Sequence, residues 1–312
     1  MIDLGLVVAR LLHYAAVTTL AGVSFFPLYA YAGTEPTALL RWRQGVFLAA
    51  AIAGLLSAIL WFVFAVANMS GTLADVGDRE VLWAVVHDTR FGSVWTARLV
   101  LTIIMVGLFW SRVVSKSGPR RDPIAPVLAA VLLISLAGVG HAQIEEGIDG
   151  IIHVVSDAGH LLAAGAWLGG LVPLVYILLL HGRERGDVQR SELDAVLLRF
   201  SGMGYVAVAT LIGSGLVNSW FLIGNISGLF ATPYGQLLIV KLVLFAGMLA
   251  LAVSNRFWLV PSLTKARTND PNGSTACTVR LRNHMLGEQF LGFMVLLVVS
   301  VLGTMQPAVG QG

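Results

Sequence analysis

Apolar segments of membrane-spanning length recur along the whole chain, from Leu4 to Met305, and this feature limits the possible folds more than any other. One helix needs about twenty apolar residues to cross a bilayer. Charged or Gly/Pro-rich stretches separate the segments, which predict eight spans at residues 4–31, 44–67, 94–113, 124–142, 152–180, 200–223, 235–259 and 285–306. With 57% hydrophobic and 12% charged residues, the chain is expected to be an all-α integral membrane protein surrounded by lipid.

The same composition excludes several kinds of site and partner. Cys277 is the single cysteine, so neither an internal disulfide nor a cysteine-rich metal site is possible. The net charge of +3 lies in loops between apolar segments, so no nucleic-acid partner is predicted. The stretch from Thr264 to Thr278 is rich in Asn, Pro, Gly, Ser and Thr and is expected to be a flexible loop. The pattern favours a transporter or metal-handling protein over an enzyme.

Positive charge is concentrated in the loops after the odd-numbered spans. The opposite loops contain two basic residues, Arg79 and Arg90, and eight acidic ones. The fifteen basic residues of the first set are Arg41, Arg43, Arg112, Lys116, Arg120, Arg121, Arg183, Arg185, Arg190, Arg199, Arg256, Lys265, Arg267, Arg280 and Arg282. Since basic loops remain on the cytoplasmic side, both termini are expected in the periplasm.

Sequence patterns in the first half of the chain recur in the same order in the second half. The third and seventh spans, for example, share a threonine, a glycine three residues later and a basic residue six places after that glycine. The paired segments are Arg10-x-x-His13 and Asp157-x-x-His160, with Gly22 and Gly169 each nine residues further on, Asn68-Met-Ser-Gly71 and Asn225-Ile-Ser-Gly228, Thr89 to Arg98 and Thr232 to Lys241, and Ser135-x-x-Gly138 and Ser300-x-x-Gly303. We expect two parallel four-helix repeats, residues 1–143 and 150–312, related by a pseudo-twofold axis along the membrane normal.

A few ionisable residues lie inside the expected spans. They are Arg10, His13, Arg98, Asp157, His160, Lys241 and Glu288. Such a group at the bilayer centre costs roughly 2.5–3.5 kcal/mol even on the mildest scale, so each requires a physical reason. All except Glu288 are expected in the outer half of the membrane. Glu288, near the cytoplasmic start of the last span, fits an exit ligand, a proton-binding group or an interfacial position.

Histidines are concentrated toward the expected outer side. His153, Asp157 and His160 are spaced four and three residues apart, which places them on one helical face. Neutral imidazole binds copper or zinc, and a carboxylate can bind the metal or orient its ligands. The predicted metal site therefore contains His13, Asp157, His160, His153 and His141. In the alternative interpretation these groups only hold helices together, each histidine bonded to backbone and Asp157 paired with an arginine of the first span.

Other polar residues are expected to support this site. Glu145, Glu146 and Asp149, together with His87, predict an access loop on the outer face that attracts cations. The alternative is that soluble loops simply require charge. Asn218 is expected to form an interhelical hydrogen bond, and Arg10 to support the buried polar groups.

Two basic residues at equivalent positions keep a second cofactor open. Arg98 and Lys241 would repel a bare cation and suit an anion. Two histidines and two bases also describe a haem b site, with His13 and His160 as axial ligands and the bases near the propionates. The sequence therefore predicts a copper site, with b-type haem and redox chemistry as the alternative.

Several motifs in the second half resemble the copper-resistance protein D (CopD) family, and the resemblance covers essentially the whole chain. They are the run from Asp157-x-x-His160 to Pro173, Arg199-Phe-Ser, Gly215-Leu-Val-Asn218, Thr232-Pro-Tyr-Gly235 with Lys241-Leu, Asn255-Arg-Phe and Leu302-Gly-Thr. The resemblance implies a bacterial inner-membrane protein that moves copper from periplasm toward cytoplasm with a periplasmic copper-binding partner. It also implies copper binding at His13, Asp157 and His160. Each half is more distantly similar to HemJ-type haem-associated membrane proteins.

Overall fold

The chain is helical almost throughout the part that the computed structural model describes, which is residues 1–114, 123–139, 147–181, 187–269 and 271–311. The α-helices are α1 (Ile2–Ala30), α2 (Thr37–Ser70), α3 (Arg79–Asp88), α4 (Arg90–Val114), α5 (Ile124–Ile134), α6 (Gly147–Ala164), α7 (Leu171–His181), α8 (Asp187–Ile223), α9 (Ile226–Ala231), α10 (Pro233–Ser254), α11 (Val260–Asn269) and α12 (Pro271–Leu302). A π-helical turn, Gly165–Gly169, joins α6 to α7, and another, Asn255–Leu259, joins α10 to α11. Short 3₁₀ turns occupy Ala74–Gly77, Ala137–Val139 and Ala308–Gln311.

Seven helical segments in the described residues are long and apolar enough to cross a membrane, which confirms the all-helical membrane fold. They are Ile2–Ala30, Thr37–Ser70, Arg90–Ser111, Gly147–Leu180, Glu192–Ile223, Pro233–Ala266 and Thr275–Leu302.

Of the span expected at 124–142, residues 140–142 lie outside the described chain, and in the described part the α-helix is shorter than the sequence predicts. Its helix, α5, has 11 residues. At about 1.5 Å per residue this gives roughly 16 Å, against about 30 Å for a bilayer core. The Ser135 hydroxyl donates to the Leu132 carbonyl, and Gly138 follows in a 3₁₀ turn. Serine and glycine both favour helix ends, so apolar composition alone overestimated this helix.

The flexible loop expected between Thr264 and Thr278 is also wrong. Helix α11 extends to Asn269, and α12 begins at Pro271. Proline is well suited to the first position of a helix because its missing N–H needs no partner there. On either side of this stretch Leu263 and Leu281 are fully buried between helices, and this packing supports α11 and α12 despite the low helix propensity of the residues between them.

Contacts near the helix ends define two faces of the protein. Met1 and Asp3 line a depression with Asn68 and Gly71, so α1 begins where α2 ends. Likewise the side chain of Arg10, early in α1, lies against Gly303 beyond the end of α12. We call this side the terminal face, and the opposite side, where α1 ends and α2 begins, the basic face.

Helices α4 and α10 begin with the same local structure. Thr89 Oγ1 accepts from the Gly92 N–H at 2.9 Å, and Thr232 Oγ1 accepts from the Gly235 N–H at 3.0 Å. Each glycine lies against the backbone of a preceding short helix, α3 or α9, so closely that a Cβ would overlap it. Threonine is a favoured N-cap and glycine permits the close approach, which explains why these residues recur together.

The matching Asn68–Gly71 and Asn225–Gly228 segments do not share a conformation. Gly71, with φ of 89°, ends α2, whereas Gly224, with φ of 71°, follows the end of α8. Asn225 then begins α9 by accepting from the Gly228 N–H at 2.7 Å. The similarity of these four residues is therefore in sequence only.

Helix α1 and the π-turn after α6 cross with their backbones almost in contact. A Cβ on Gly22 would lie 1.9 Å from the carbonyl carbon of Gly169, and a Cβ on Gly169 would lie 2.2 Å from the Thr18 carbonyl oxygen. These are the two glycines that follow His13 and His160 by nine residues. Small residues allow membrane helices to approach this closely.

Near the basic face, Arg43 is buried although the sequence placed it in a loop. Pro27 has no N–H, so the Val23 carbonyl loses its usual helical partner. Arg43 Nη1 donates to that carbonyl, while Nη2 and Nε bind the Glu35 carboxylate at 2.5 and 2.7 Å. The ion pair thus stabilises the end of α1.

Candidate metal centre

The first polar cluster surrounds His13, whose side chain is completely buried. His13 Nδ1 lies 3.1 Å from Ser57 Oγ and 3.2 Å from the Gly54 carbonyl oxygen. Because the Ser57 hydroxyl also donates to that carbonyl, its oxygen accepts from Nδ1–H. We call His13, Ser57, Arg98 and Ser135 the His13 cluster.

Arg98 occupies the other side of this imidazole. Its Nη2 lies 2.6 Å from His13 Nε2, while Nη1 donates to the Leu132 carbonyl at 2.7 Å and to Ser135 Oγ. A guanidinium carries only donors, so His13 Nε2 accepts and the imidazole is neutral. Both ring nitrogens are therefore used, and the lone pair that a metal needs points at Arg98.

Two tryptophans enclose the His13 cluster. The ring centroids of Trp61 and Trp95 lie 5.6 and 5.5 Å from that of His13, and the guanidinium carbon of Arg98 lies 5.2 Å from the Trp95 ring centroid. Trp95 Nε1 also donates to the Ala58 carbonyl. The aromatic faces favour the guanidinium charge, and the cluster is packed as an interior polar network.

The second polar cluster lies on α6, α8 and α10. His160 Nδ1 lies 2.9 Å from Ser214 Oγ, whose hydroxyl donates to a backbone carbonyl one turn earlier in α8. The serine oxygen therefore accepts from His160 Nδ1–H, as Ser57 does in the first cluster. Asn218 Nδ2 donates to Asp157 Oδ1 at 3.2 Å. We call Asp157, His160, Ser214, Asn218 and Lys241 the His160 cluster.

The Nε2 atom of His160 is available. No hydrogen bond joins it to any residue that the structure describes. Lys241 interacts electrostatically with both His160 and Asp157 but forms no ion pair with Asp157 within 4.0 Å among those residues. Asp157, His160, Asn218 and Lys241 are all half-buried, whereas His13 and Arg98 are fully buried.

The helices around the two clusters pack differently. Helix α2 packs against both α1 and α4, which closes the His13 cluster. Helix α8 packs on α6, and α10 packs on α12, but within the described residues α8 and α10 have no extended contact with each other. The His160 cluster is thus open between α8 and α10.

His153 is more deeply buried than a histidine at the mouth of a site is expected to be. Its side chain is 2% exposed, and its ring stacks on Phe221 with centroids 4.8 Å apart. It also interacts electrostatically with Asp157, one turn further along α6. The expected stripe of His153, Asp157 and His160 therefore lines one side of α6 toward the open cluster.

Arg10 does not form the ion pair with Asp157 that the structural interpretation suggested. Its guanidinium carbon lies 4.9 Å from the Trp61 ring centroid, and Nη1 contacts Gly303. Arg10 therefore connects α1 with the end of α12, and in the described residues Asp157 remains without a cation within 4.0 Å.

The expected access loop is only partly described. Asp149 is exposed at the start of α6, and His87 is exposed on α3 with its ring centroid 3.8 Å from that of Trp83. His141, Glu145 and Glu146 lie outside the described residues. No group of three or more His, Cys, Asp or Glu side chains in the described ranges is close enough to hold a metal ion.

Sequence reasoning missed the two serines that orient the histidines. Ser57 and Ser214 lie on helices otherwise apolar around them, and each meets a histidine on the preceding long helix. A serine facing a buried histidine across a helix pair is a typical membrane hydrogen bond. The signal was therefore present, but serines are common in membrane helices and only the packing identifies these two.

The two proposed haem ligands, His13 and His160, differ in whether their Nε2 atoms are free to bind iron. Iron binding by His13 requires its Nε2 hydrogen bond with Arg98 to break. His160 has its Nε2 available, and its Nδ1–H is already oriented by Ser214. An oriented imidazole of this kind suits a metal ion bound at one histidine.

Comparison with known proteins agrees with the helical pattern. Residues 1–151 match the family model of the copper resistance protein D-like N-terminal domain, and residues 194–302 match that of copper resistance protein D. The inner membrane protein YebZ of Escherichia coli K12 is 31% identical over 96% of this chain and 97% of its own length. Copper resistance protein D of Pseudomonas syringae pv. tomato is 30% identical over 98% of each chain.

A third relative is longer than this chain. The copper transport protein CutJ of Bacillus subtilis is 28% identical over 78% of this chain and 44% of its own length. No solved structure matches the chain. Since the first two similarities extend over nearly the whole of both proteins, this membrane protein belongs to the copper resistance protein D family.

Proposed function

We propose that this protein binds copper from the terminal face and moves it across the bacterial inner membrane toward the cytoplasm. The relatives are named for copper resistance and copper transport, and one of them is named as an inner membrane protein. Both termini then lie in the periplasm, because the basic loops belong on the cytoplasmic side. A periplasmic copper-binding protein delivers the ion.

The observation that carries this proposal is the available Nε2 of His160 beside Asp157. Ser214 holds the ring in the tautomer that leaves Nε2 as a lone-pair donor, which is the form that binds copper. Asp157 is oriented by Asn218 and has no cation within 4.0 Å in the described chain. His160 and Asp157 therefore supply two donors, one nitrogen and one oxygen.

The remaining predicted ligands act before or beside this pair. His153 lies one turn closer to the terminal face and passes the ion along the face of α6. His141 and the acidic residues of the access loop, Glu145 and Glu146, collect it. His13 binds copper only when Arg98 releases its Nε2 atom.

We also propose that the chain is a tandem repeat of two four-helix units, residues 1–143 and 150–312. Three parallels support it. In both halves a histidine Nδ1 meets a serine on the next long helix, and a threonine caps a helix with a glycine N–H. The two glycines at equivalent positions, Gly22 and Gly169, contact each other, as residues on a pseudo-twofold axis do.

Copper binding to the purified protein in detergent tests the proposal. We expect His160→Ala combined with Asp157→Asn to lose the bound copper measured by elemental analysis, and His284→Ala, a histidine outside both clusters and the access loop, to retain it. Growth on copper of cells carrying each variant extends the test to transport. Unchanged copper content and unchanged copper sensitivity in the double variant would show that the site lies elsewhere. A strong Soret band in the absorption spectrum of the same sample would instead identify bound haem.

A further inference from the structure

A buried glutamate lies deeper in the second half than the His160 cluster. Glu288 is 2% exposed and belongs to α12, within the membrane-spanning segment Thr275–Leu302. Its neighbour Trp167 follows His160 by seven residues. At about 1.5 Å per residue, Glu288 therefore lies roughly 10 Å closer to the basic face than His160.

Both π-turns of the described chain bring a polar side chain toward this carboxyl group. Asn255 begins the turn Asn255–Leu259, and its Nδ2 donates to Glu288 Oε1 at 2.5 Å. Trp167 lies within the turn Gly165–Gly169, and its indole is close enough to interact with Glu288. A π-turn inserts one residue and redirects the side chains around it, and such turns are frequent at functional sites.

Within the described residues, no positive charge balances Glu288. Helix α12 packs against α1, α7, α10 and α11, yet in the described residues no cation of these helices lies within 4.0 Å of the carboxyl group. The groups that face it are Asn255, Trp167 and, one turn away on α12, His284. A carboxylate removed from water without a cation is strongly unfavourable, and protonation removes the charge.

The surroundings of Glu288 also contain polar atoms that lack partners. Asn255 Oδ1 and His284 Nδ1 are buried and have no hydrogen bond in the described chain. His284 lies four residues before Glu288, on the same side of α12 and closer to the basic face. Buried polar atoms normally have a hydrogen-bond partner. We therefore expect a water molecule, or a proton on Glu288, to satisfy Asn255 Oδ1 and His284 Nδ1.

We propose that Glu288 is a proton-binding site, a neutral carboxylic acid that exchanges its proton with water at the basic face through His284. The reaction forms and breaks one O–H bond, and the proton comes from bulk water. The site does not depend on copper binding at the His160 cluster. It gives the membrane interior a site for a second cation, the proton, one helical turn from His284.

Infrared difference spectroscopy of the copper-free protein in lipid vesicles at neutral pH tests the proton site. We expect the wild type to show the carbonyl stretch of a protonated carboxylic acid, and Glu288→Gln to lose that band. Glu35→Gln is the matched control, because Glu35 is also buried but is paired with Arg43 and contributes as a carboxylate. Loss of a carboxylate band, or an unchanged spectrum, in Glu288→Gln would overturn the proposal.

Two further variants keep the result decisive if Glu288→Gln does not fold. Glu288→Asp retains the acid with a shorter side chain, so the band is expected to persist at a shifted frequency. His284→Leu is expected to slow, several-fold, the shift of the wild-type band after transfer to heavy water. An equally fast shift would exclude His284 as the route. A Glu288→Asp spectrum without any band displacement would exclude Glu288 as the protonated group.

Discussion

In the first half of the chain Arg98 reaches His13 Nε2, whereas in the second half Lys241 leaves His160 Nε2 without a hydrogen bond to any described residue. Arginine has forked donors that bind two groups at once, and Arg98 uses them on His13 and on the Leu132 carbonyl. Lysine carries its three donors on a single nitrogen and lacks this planar fork. We therefore expect the identity of the basic residue at this position to influence whether the histidine remains available.

The packing of the helices follows the same division. The His13 cluster is enclosed by Trp61, Trp95 and the contact between α2 and α4. The His160 cluster is open between α8 and α10 in the described chain. Similar residues at similar positions therefore give an interior network in one half and an accessible set of donors in the other.

The contact that joins the halves is expected to be the most sensitive to substitution. In Gly22→Ala the new Cβ would overlap the Gly169 backbone, so α1 and the π-turn must separate along their whole contact. We expect the free energy of unfolding in detergent to fall by at least about 3 kcal/mol. Gly202→Ala, where a Cβ meets nothing within 4 Å, is the control and should be neutral or slightly stabilising. Equal stabilities of the two variants would mean that the halves do not meet at these glycines.

Substitution of each histidine should distinguish the two clusters by how much stability is lost. His13→Ala leaves Arg98 Nη2 without its acceptor in a fully buried site, and we expect a loss of about 2–3 kcal/mol in the free energy of unfolding. His160→Ala opens a half-buried site, so its loss should be below about 1 kcal/mol. Thermal or denaturant unfolding in one detergent measures both. A larger loss for His160→Ala would reverse the assignment of the two clusters.

Most of the transmembrane fold was predictable, because spans depend on local composition. Where the prediction of a helix or loop was wrong, side-chain packing or backbone geometry determined the observed structure. Helix α5 is short because Ser135 and Gly138 end it, and the segment expected as a loop is helical between Leu263 and Leu281, two buried residues that anchor α11 and α12 on either side of it. The Asn68 and Asn225 motifs match in letters only, since one lies within a helix and the other begins one.

The sequence identified the residues of the candidate sites but not the contacts that their side chains make. Depth and periodicity identified His13, His160 and their basic partners. They gave no indication that Arg98 would use His13 Nε2 while His160 would remain available, because that depends on how a side chain crosses between helices. Glu288 was a candidate without a defined role, and the polar side chains next to it, Asn255 and Trp167, lie in two π-turns that no sequence period reveals.

Exchange of the basic residues tests whether the guanidinium fork causes the difference. Arg98→Lys cannot hold His13 Nε2 and the Leu132 carbonyl together, so we expect about 2 kcal/mol of lost stability. Lys241→Arg at the half-buried position should change stability less and should weaken copper binding if the new fork reaches His160 Nε2. Stability measurements and copper titration of both variants provide the check. Equal destabilisation by the two exchanges would argue that the fork is not what distinguishes the clusters.

The smallest effect is expected from the residue that orients Asp157. Asn218 donates to Asp157 Oδ1 at 3.2 Å, and the pair is half-buried, so Asn218→Ala removes orientation without removing a proposed ligand. Loss of an outer hydrogen bond of this kind weakens metal binding by roughly tenfold or more, and we expect about tenfold here. Competition with a copper chelator measures the change, and Asn218→Asp, which cannot donate to the carboxylate, should not restore affinity through this bond. If Asn218→Ala binds copper as tightly as the wild type while Asp157→Asn does not, Asp157 acts without this support. If neither substitution changes the affinity, the ion is held by His160 with donors other than Asp157.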